Sequence, residues 1–337
     1  MAGPVAKLRT VKPTFDIDAL MLDAPAEIAR IVAELRQQVL GVFRRRGVVV
    51  GLSGGVDSSV VAALCVQAVG RDKVLGLLMP ERDSSPDSLR LGRAISQSLG
   101  IDTIVEDVTS ALEALGAYRR QQEAIRTVSP DYGEGWKCKL TLGSVLQNNG
   151  FNITRLTIES PTGHIDTVRL PLAVYLQIVA ATNYKQRVRK TTEYYHADRL
   201  NYAVAGTPNM LEFDQGFFVK QGDGTADVAP IAHLYKTQVY QLGKQLSVPD
   251  EILHRPPTTD TFSMPQSQEE FYFALPHRLM DLCLYAFNQA APAEDAAPAI
   301  GLTVEQVRLV YRDIEAKRRV ARYLHARPAR VSPRDDV

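Results

Sequence analysis

Ten residues, Gly51 to Val60 (GLSGGVDSSV), constrain this chain more than any other stretch. The apolar run Gly47 to Leu52 spells a short buried strand, Gly54 and Gly55 permit a tight turn, and Val60 to Val69 continues as a helix. A strand that turns sharply into a helix leaves unpaired N–H groups and the positive end of a helix dipole at the turn, an arrangement that holds phosphate. Ser53, Ser58 and Ser59 add hydroxyl donors. Asp57 is repelled by bare phosphate, so its place in the turn makes sense with a magnesium ion between the two. No lysine follows the glycines as it does in a Walker A loop, and the string reads as a site for the pyrophosphate end of ATP.

Around this turn the chain alternates helix and strand. An arm to about residue 25 leads into an apolar-periodic helix, Ile28 to Phe43, and then the first strand. A second strand, Val74 to Met79, is followed by a polar loop from Pro80 to Asp87, a helix from Ser88 to Leu99 stopped by Gly100, and a third strand, Asp102 to Val108. This order predicts an α/β fold with a doubly wound, mainly parallel, Rossmann-like sheet that binds ligands at the carboxyl ends of its strands. From about 127 to 172 the pattern breaks. Ile153, Leu156 and Ile158 precede the turn Ser160-Pro161-Thr162-Gly163, and Ile165, Val168 and Leu170 follow it, which predicts an inserted β-hairpin. Leu172 to Tyr195 reads as helix and Tyr202 to Ala205 as a short strand ending at Gly206-Thr207. A proline-punctuated region leads to a helix from Leu279 to Asn288, the stretch Ala290 to Pro298 reads as a linker, and an amphipathic helix spans Thr303 to Leu324. The expected division is an arm (1–25), a main domain (26–290) and a C-terminal part (291–337) of linker, helix and basic tail.

Composition narrows the function classes. With 45% hydrophobic and 23% charged residues, the 337-residue chain is an ordinary globular one with ample core. It has no membrane-length apolar stretch and no signal-peptide layout, which places it in the cytoplasm with no membrane partner. A net charge of +1 gives no overall nucleic-acid signature, and the basic clusters Lys185 to Lys190 and Lys317 to Arg334 read most simply as solvated faces. Cys65, Cys138 and Cys283 are odd in number and scattered, so they read as reduced packing residues rather than disulfides or zinc ligands.

Further strings accompany the phosphate turn: MPERDSSPDSL (79–89), NYKQRVR (183–189), GTPNMLE (206–212), GFFVKQGDGTAD (216–227), LYK (234–236) and PTTD with QSQEE (257–270). In this order and spacing the chain resembles the NAD synthetase family of the ATP-pyrophosphatase superfamily, from about residue 26 to 320. The resemblance implies ammonia-dependent amidation of nicotinic acid adenine dinucleotide (deamido-NAD), with ATP as cosubstrate and release of AMP and pyrophosphate. It assigns Gly51, Ser53, Gly54, Gly55, Asp57, Ser58, Met79, Thr207, Lys236 and Thr258 to ATP, with Asp57 and Lys236 catalytic. Asp57 and Glu212 would be magnesium ligands. Asn183, Arg187, Arg189, Lys220, Asp223, Asp227, Gln268 and Glu269 would take the deamido-NAD, arginine forks suiting a diphosphate and aspartates the ribose hydroxyls. The family also implies a homodimer. No glutaminase half with a cysteine nucleophile fits before residue 26, so ammonia would come from solution or a separate partner. The chain departs from the family at Gln268-Glu269, where an Asp-Glu pair is usual, in its longer hairpin insertion, and at Ala316-Lys317-Arg318 in place of His-Lys-Arg. Two alternatives stand beside the main reading: a ligase that amidates another carboxylate, and a nucleotide-binding paralogue without catalysis, against which Asp57, Glu212 and Lys236 argue.

Overall fold

The computed structural model describes residues 17–142, 154–259, 261–273 and 275–329. Most of the N-terminal arm, Ile153 of the hairpin and the end of the basic tail lie outside them. In chain order the helices and strands are α1 (Ala24–Arg36), β1 (Val48–Gly51), α2 (Val56–Val69), β2 (Val74–Leu78), α3 (Pro86–Leu99), β3 (Asp102–Val105), α4 (Thr109–Ala114), α5 (Ala117–Arg126), β4 (Lys137–Leu142), β5 (Thr154–Glu159), β6 (Ile165–Arg169), α6 (Leu172–Leu200), β7 (Ala203–Ala205), α7 (Met210–Gln215), α8 (Lys236–Gln245), α9 (Asp250–His254), α10 (His277–Asn288), α11 (Ala293–Ile300) and α12 (Val304–His325).

Four strands form a parallel sheet in the order β3-β2-β1-β7. The chain leaves β1 in one direction and returns on its other side as β7, so the switch point lies between these two strands, where an open α/β sheet binds its ligands. Alternation along β1 distributes its valines between two cores. Val48 and Val50 pack with α1, α2 and α8, while Val49 joins Leu75, Leu77, Val204 and Ala197 of α6 on the opposite face. That division makes the sheet doubly wound, as the sequence predicts.

The insertion is larger than a hairpin. Strands β5 and β6 pair antiparallel as expected, but β4 pairs with β5 as well and completes a three-stranded sheet. Its inner side chains Cys138, Leu140, Leu156 and Ile158 share a core with Ile178 of α6 and Phe262. The proposed linker from Ala290 to Pro298 is corrected too: most of it is α11, whose Ala293, Ala296, Ala297 and Ile300 recur at helical spacing and are buried against α10 and α12. Alanines there are small because the helices approach closely. The three cysteines are buried and unbridged, and burial pushes the Cys65 and Cys283 thiols up to about 12. Among the described residues no helix is long and apolar enough to cross a membrane.

Candidate active site

The phosphate turn closes with its own hydroxyls. Gly54 takes φ +72°, and an added Cβ there would lie 2.7 Å from the Ser88 carbonyl, so the turn depends on glycine twice over. Gly55 then caps α2 in an extended conformation, and the helix begins four residues earlier than its apolar pattern suggests. Ser58 Oγ donates to the Gly55 carbonyl at 3.1 Å and lies 3.1 Å from Ser53 Oγ, while Ser53 Oγ accepts from the Gly55 N–H. Ser59 does not serve as a phosphate donor: it is fully buried and its hydroxyl donates to the Gly55 carbonyl at 2.8 Å. Arg255, which the sequence reading passed over, donates to the Gly54 carbonyl and to Ser88 Oγ and thereby sets a guanidinium beside the turn.

Next to the turn stands a cluster assembled by helix starts. Asn209 caps α7: its Oδ1 accepts from the Leu211 and Glu212 N–H groups, and Glu212 Oε2 accepts in return from the Asn209 N–H at 3.1 Å. The same asparagine donates from Nδ2 to Asp57 Oδ1 at 3.1 Å. Lys236 opens α8 and pairs its ammonium with Asp57 Oδ2. Asp281 of α10 holds that helix start by accepting from the Lys236 and Thr237 N–H groups at 3.2 and 2.7 Å. Gln268 donates to Glu212 Oε1 at 2.9 Å.

Electrostatics follow from this crowding. Burial, reinforced by the Asp57 charge, pushes the Glu212 carboxyl up to about 8. Burial disfavours the Lys236 ammonium, yet Asp57 and Glu212 outweigh it and hold the lysine charged well above its ordinary range. Burial also pushes Asp281 up to about 7, against the N–H donors that favour its charge. Two half-buried carboxylates beside one ammonium are short of positive charge when both are ionised, which suits a divalent cation. Magnesium is held by one or two carboxylates together with substrate phosphates, so the pair Asp57 and Glu212 fits it.

The cavity over this cluster measures about 1070 Å³. Ligand pockets run to roughly 1,000 Å³, so this one lies at the large end of the range. Of the residues expected at the site, Gly51, Ser53, Gly55, Asp57, Ser58, Met79, Asn183, Arg189, Thr207, Glu212, Asp223, Lys236, Thr258 and Gln268 line it. Arg189 is tied to the Met79 carbonyl and Ser84 Oγ, and Asp223 accepts from the Val219 N–H at 2.7 Å while burial raises its carboxyl. The remaining ones are engaged elsewhere. Gly54 sits behind the turn, and Arg187 donates to the Lys220 carbonyl. Lys220 donates to the Tyr323 and Ala326 carbonyls, Asp227 accepts from the Val204 N–H and Tyr194 hydroxyl, and Glu269 accepts from the His277 N–H.

Neither basic cluster is a solvated face throughout. Lys185 is buried with Nζ on Glu81 Oε1 (2.9 Å), Asp83 Oδ2 (2.8 Å) and the Thr261 carbonyl (2.9 Å). Lys190 is buried with Glu193, and both line the cavity beside Gly51. Lys317 is buried on Asp313 and the Tyr272 carbonyl, and it lines the far wall with Val320 and Leu324 of α12. A buried lysine needs a carboxylate partner, and these partners were the missing signal.

A glycine-rich phosphate turn at a parallel-sheet switch point, opening on a carboxylate–lysine cluster, places the chain among nucleotide-binding α/β enzymes. The family model for NAD synthase matches residues 27–130 and 142–321. The chain therefore belongs to the NAD synthase family. It is 71% identical over 309 residues to an NH3-dependent NAD+ synthetase of Mesorhizobium japonicum, covering 92% of this chain and 97% of the relative. An NH3-dependent NAD+ synthetase of Rhizobium meliloti is 54% identical, with 96% of each chain covered. In fold it is similar to the NH3-dependent NAD synthetase of Campylobacter jejuni, with a TM-score of 0.59 at 19% identity over 92% of this chain and all of that one.

Proposed function

We propose that this protein is an ammonia-dependent NAD+ synthetase, an ATP-dependent ligase that forms the nicotinamide amide. The observation that carries this reading is the cluster of Asp57, Lys236 and Glu212 beside the phosphate turn, in a chain 71% identical to an NH3-dependent NAD+ synthetase. A carboxylate is a poor electrophile, so its oxygen first attacks the α-phosphorus of ATP. The bond to the β-phosphate breaks, pyrophosphate leaves, and an acyl-adenylate remains. Ammonia then attacks the acyl carbon, AMP leaves with the oxygen, and the nitrogen sheds a proton.

In this scheme Ser53, Gly55 and Ser58 bind the pyrophosphate. Lys236 neutralises charge that grows on the phosphates as the bond breaks. Asp57 and Glu212 would hold magnesium, which when bound neutralises phosphate charge and polarises the α-phosphoryl group. Thr207 and Thr258 supply hydroxyls to the nucleotide, and Met79 packs beside it. Arg189, Asn183, Asp223 and Gln268 face the deamido-NAD from the cavity wall. Residues of β1, α6, the 257–268 segment and α12 line the cavity in which the adenylate would form.

Steady-state NAD+ formation from ATP, deamido-NAD, ammonium and magnesium tests the reading. Equimolar NAD+ and AMP are expected. Negligible NAD+ alongside AMP release with another carboxylate would replace the acceptor and keep the ATP chemistry.

A homodimer accompanies the proposal. Leu172 and Leu176 of α6 are 71% and 54% exposed, and Val320 and Tyr323 of α12 are 61% and 71% exposed, which leaves apolar surface for a second copy. Light scattering should return twice the 37.2 kDa chain mass at micromolar concentration, and a monomer mass would reject the dimer.

A further inference from the structure

The family model breaks off between residues 131 and 141, the stretch that contains most of β4. This strand does more than widen the inserted sheet. On one edge it pairs with β5, and on the other it holds the segment 257–268, which carries Thr258 and Gln268 into the cavity.

The described residues of that segment, 257–259 and 261–268, are pinned to one another at its base. Thr258 and Ser267 form an antiparallel bridge, the Thr259 N–H donates to the Gln266 carbonyl, and the Gln268 N–H donates to the Pro257 carbonyl. Its tip is fastened to β4 at successive points. The Cys138 N–H donates to Ser263 Oγ at 2.9 Å, the Met264 N–H donates to the Cys138 carbonyl at 3.1 Å, and the buried Gln266 amide donates to the Leu140 carbonyl. Lys139 adds an ion pair to Glu270 at 2.7 Å just beyond the loop. Phe262 sits in the core of the inserted sheet, with its ring centroid 5.7 Å from that of Phe271. An otherwise exposed loop with few apolar contacts opens readily, and each of these contacts lowers the open population.

We propose that β4 is a positioning strand for the 257–268 loop, acting through Ser263 and Gln266 to hold Thr258 and Gln268 against the triphosphate and Glu212. The site is thereby assembled before substrate arrives, and ATP spends none of its binding energy on docking the loop. The role given to Thr258 at the triphosphate rests on the proposed reaction, and the docking of the loop on β4 does not.

The experiment compares the wild type with Ser263→Ala, Gln266→Ala, their combination, and Ser263→Thr, which keeps the hydroxyl. Amide hydrogen exchange on the free protein reads docking directly. Each deleted hydrogen bond should speed exchange across 257–268 by about three- to tenfold, with β1 unchanged. Because the apparent affinity for ATP scales with the docked fraction, KM should rise only where the open form becomes comparable with the docked one, first in the double variant, while kcat holds and Ser263→Thr stays near wild type. Unchanged loop exchange in the variants, or no rise in KM in a double variant whose loop is predominantly open by exchange, overturns the proposal. Equal acceleration in β1 overturns it as well, because the effect would then be global destabilisation. A wild type that forms no NAD+ refutes the proposed reaction instead, and loop exchange with calorimetric ATP affinity then decides the role of β4.

Discussion

Replacing Lys236 by methionine keeps the side-chain volume near the native one and removes the single ammonium shared by Asp57 and Glu212. The lysine side chain is 2% exposed and that of Asp57 is 15% exposed, so water at the cavity wall replaces the lost charge only in part. Breaking a buried pair from one side costs about 3–5 kcal/mol, because the remaining charge is stranded. Here two carboxylates are stranded, and Glu212 is already pushed up to about 8 with lysine present. Without it, the Glu212 carboxyl in the native state binds its proton more tightly still than in the unfolded chain, where Glu titrates at about pH 4. Such groups stabilise the fold below the unfolded values, and that contribution is lost as pH rises through the folded values. Urea unfolding should therefore show a loss relative to wild type of about 3 kcal/mol or more at pH 8.5, shrinking to about 1 kcal/mol near pH 5. A loss equal at both pH values, or one under about 1 kcal/mol at pH 8.5, would refute the assignment of Lys236 as the counterion of a buried carboxylate pair.

Asp57→Asn and Glu212→Gln should each lower pyrophosphate release by about a hundredfold or more at saturating magnesium, since each removes a metal-facing charge; near-normal turnover in either variant rejects that residue as a ligand. Gly54→Ala should cost about 2–4 kcal/mol from its positive φ and its contact with the Ser88 carbonyl, visible as a lower urea midpoint. Arg255→Ala should raise the KM for ATP about tenfold, because a guanidinium is lost beside the phosphate turn, and an unchanged KM would confine Arg255 to holding the loop in place.

The nucleotide half of the molecule was legible because its signals are local. A valine run, two glycines and an apolar helix lie within 23 residues, and their order alone sets strand, turn and helix. The inserted sheet was legible in part: β5 and β6 flank a Pro-Thr-Gly turn, whereas β4 alternates lysine and threonine with cysteine and leucine and has no turn of its own to mark it. The alanine-rich α11 resembles a linker in sequence because small residues and prolines suggest irregular chain until their helical spacing against a partner is seen. Charges were hardest to place. Lys185 meets Glu81 across 104 positions and Gln268 meets Glu212 across 56, and nothing local distinguishes a lysine bound for the interior from one on a surface.

The buried Lys185 ammonium ties together three distant segments: the loop after β2 through Glu81 and Asp83, the middle of α6, and the loop that carries Thr258 through the Thr261 carbonyl. Three donors on one nitrogen meet three acceptors, and the Tyr118 hydroxyl donates to the far oxygen of Glu81 at 2.7 Å. Loss of the lysine strands two carboxylates at once, whereas loss of either carboxylate removes one of the three acceptors on its ammonium. One nitrogen thereby fixes the spacing between the segment that follows β2 and the loop that carries Thr258, two parts of the cavity wall some hundred residues or more apart in the chain.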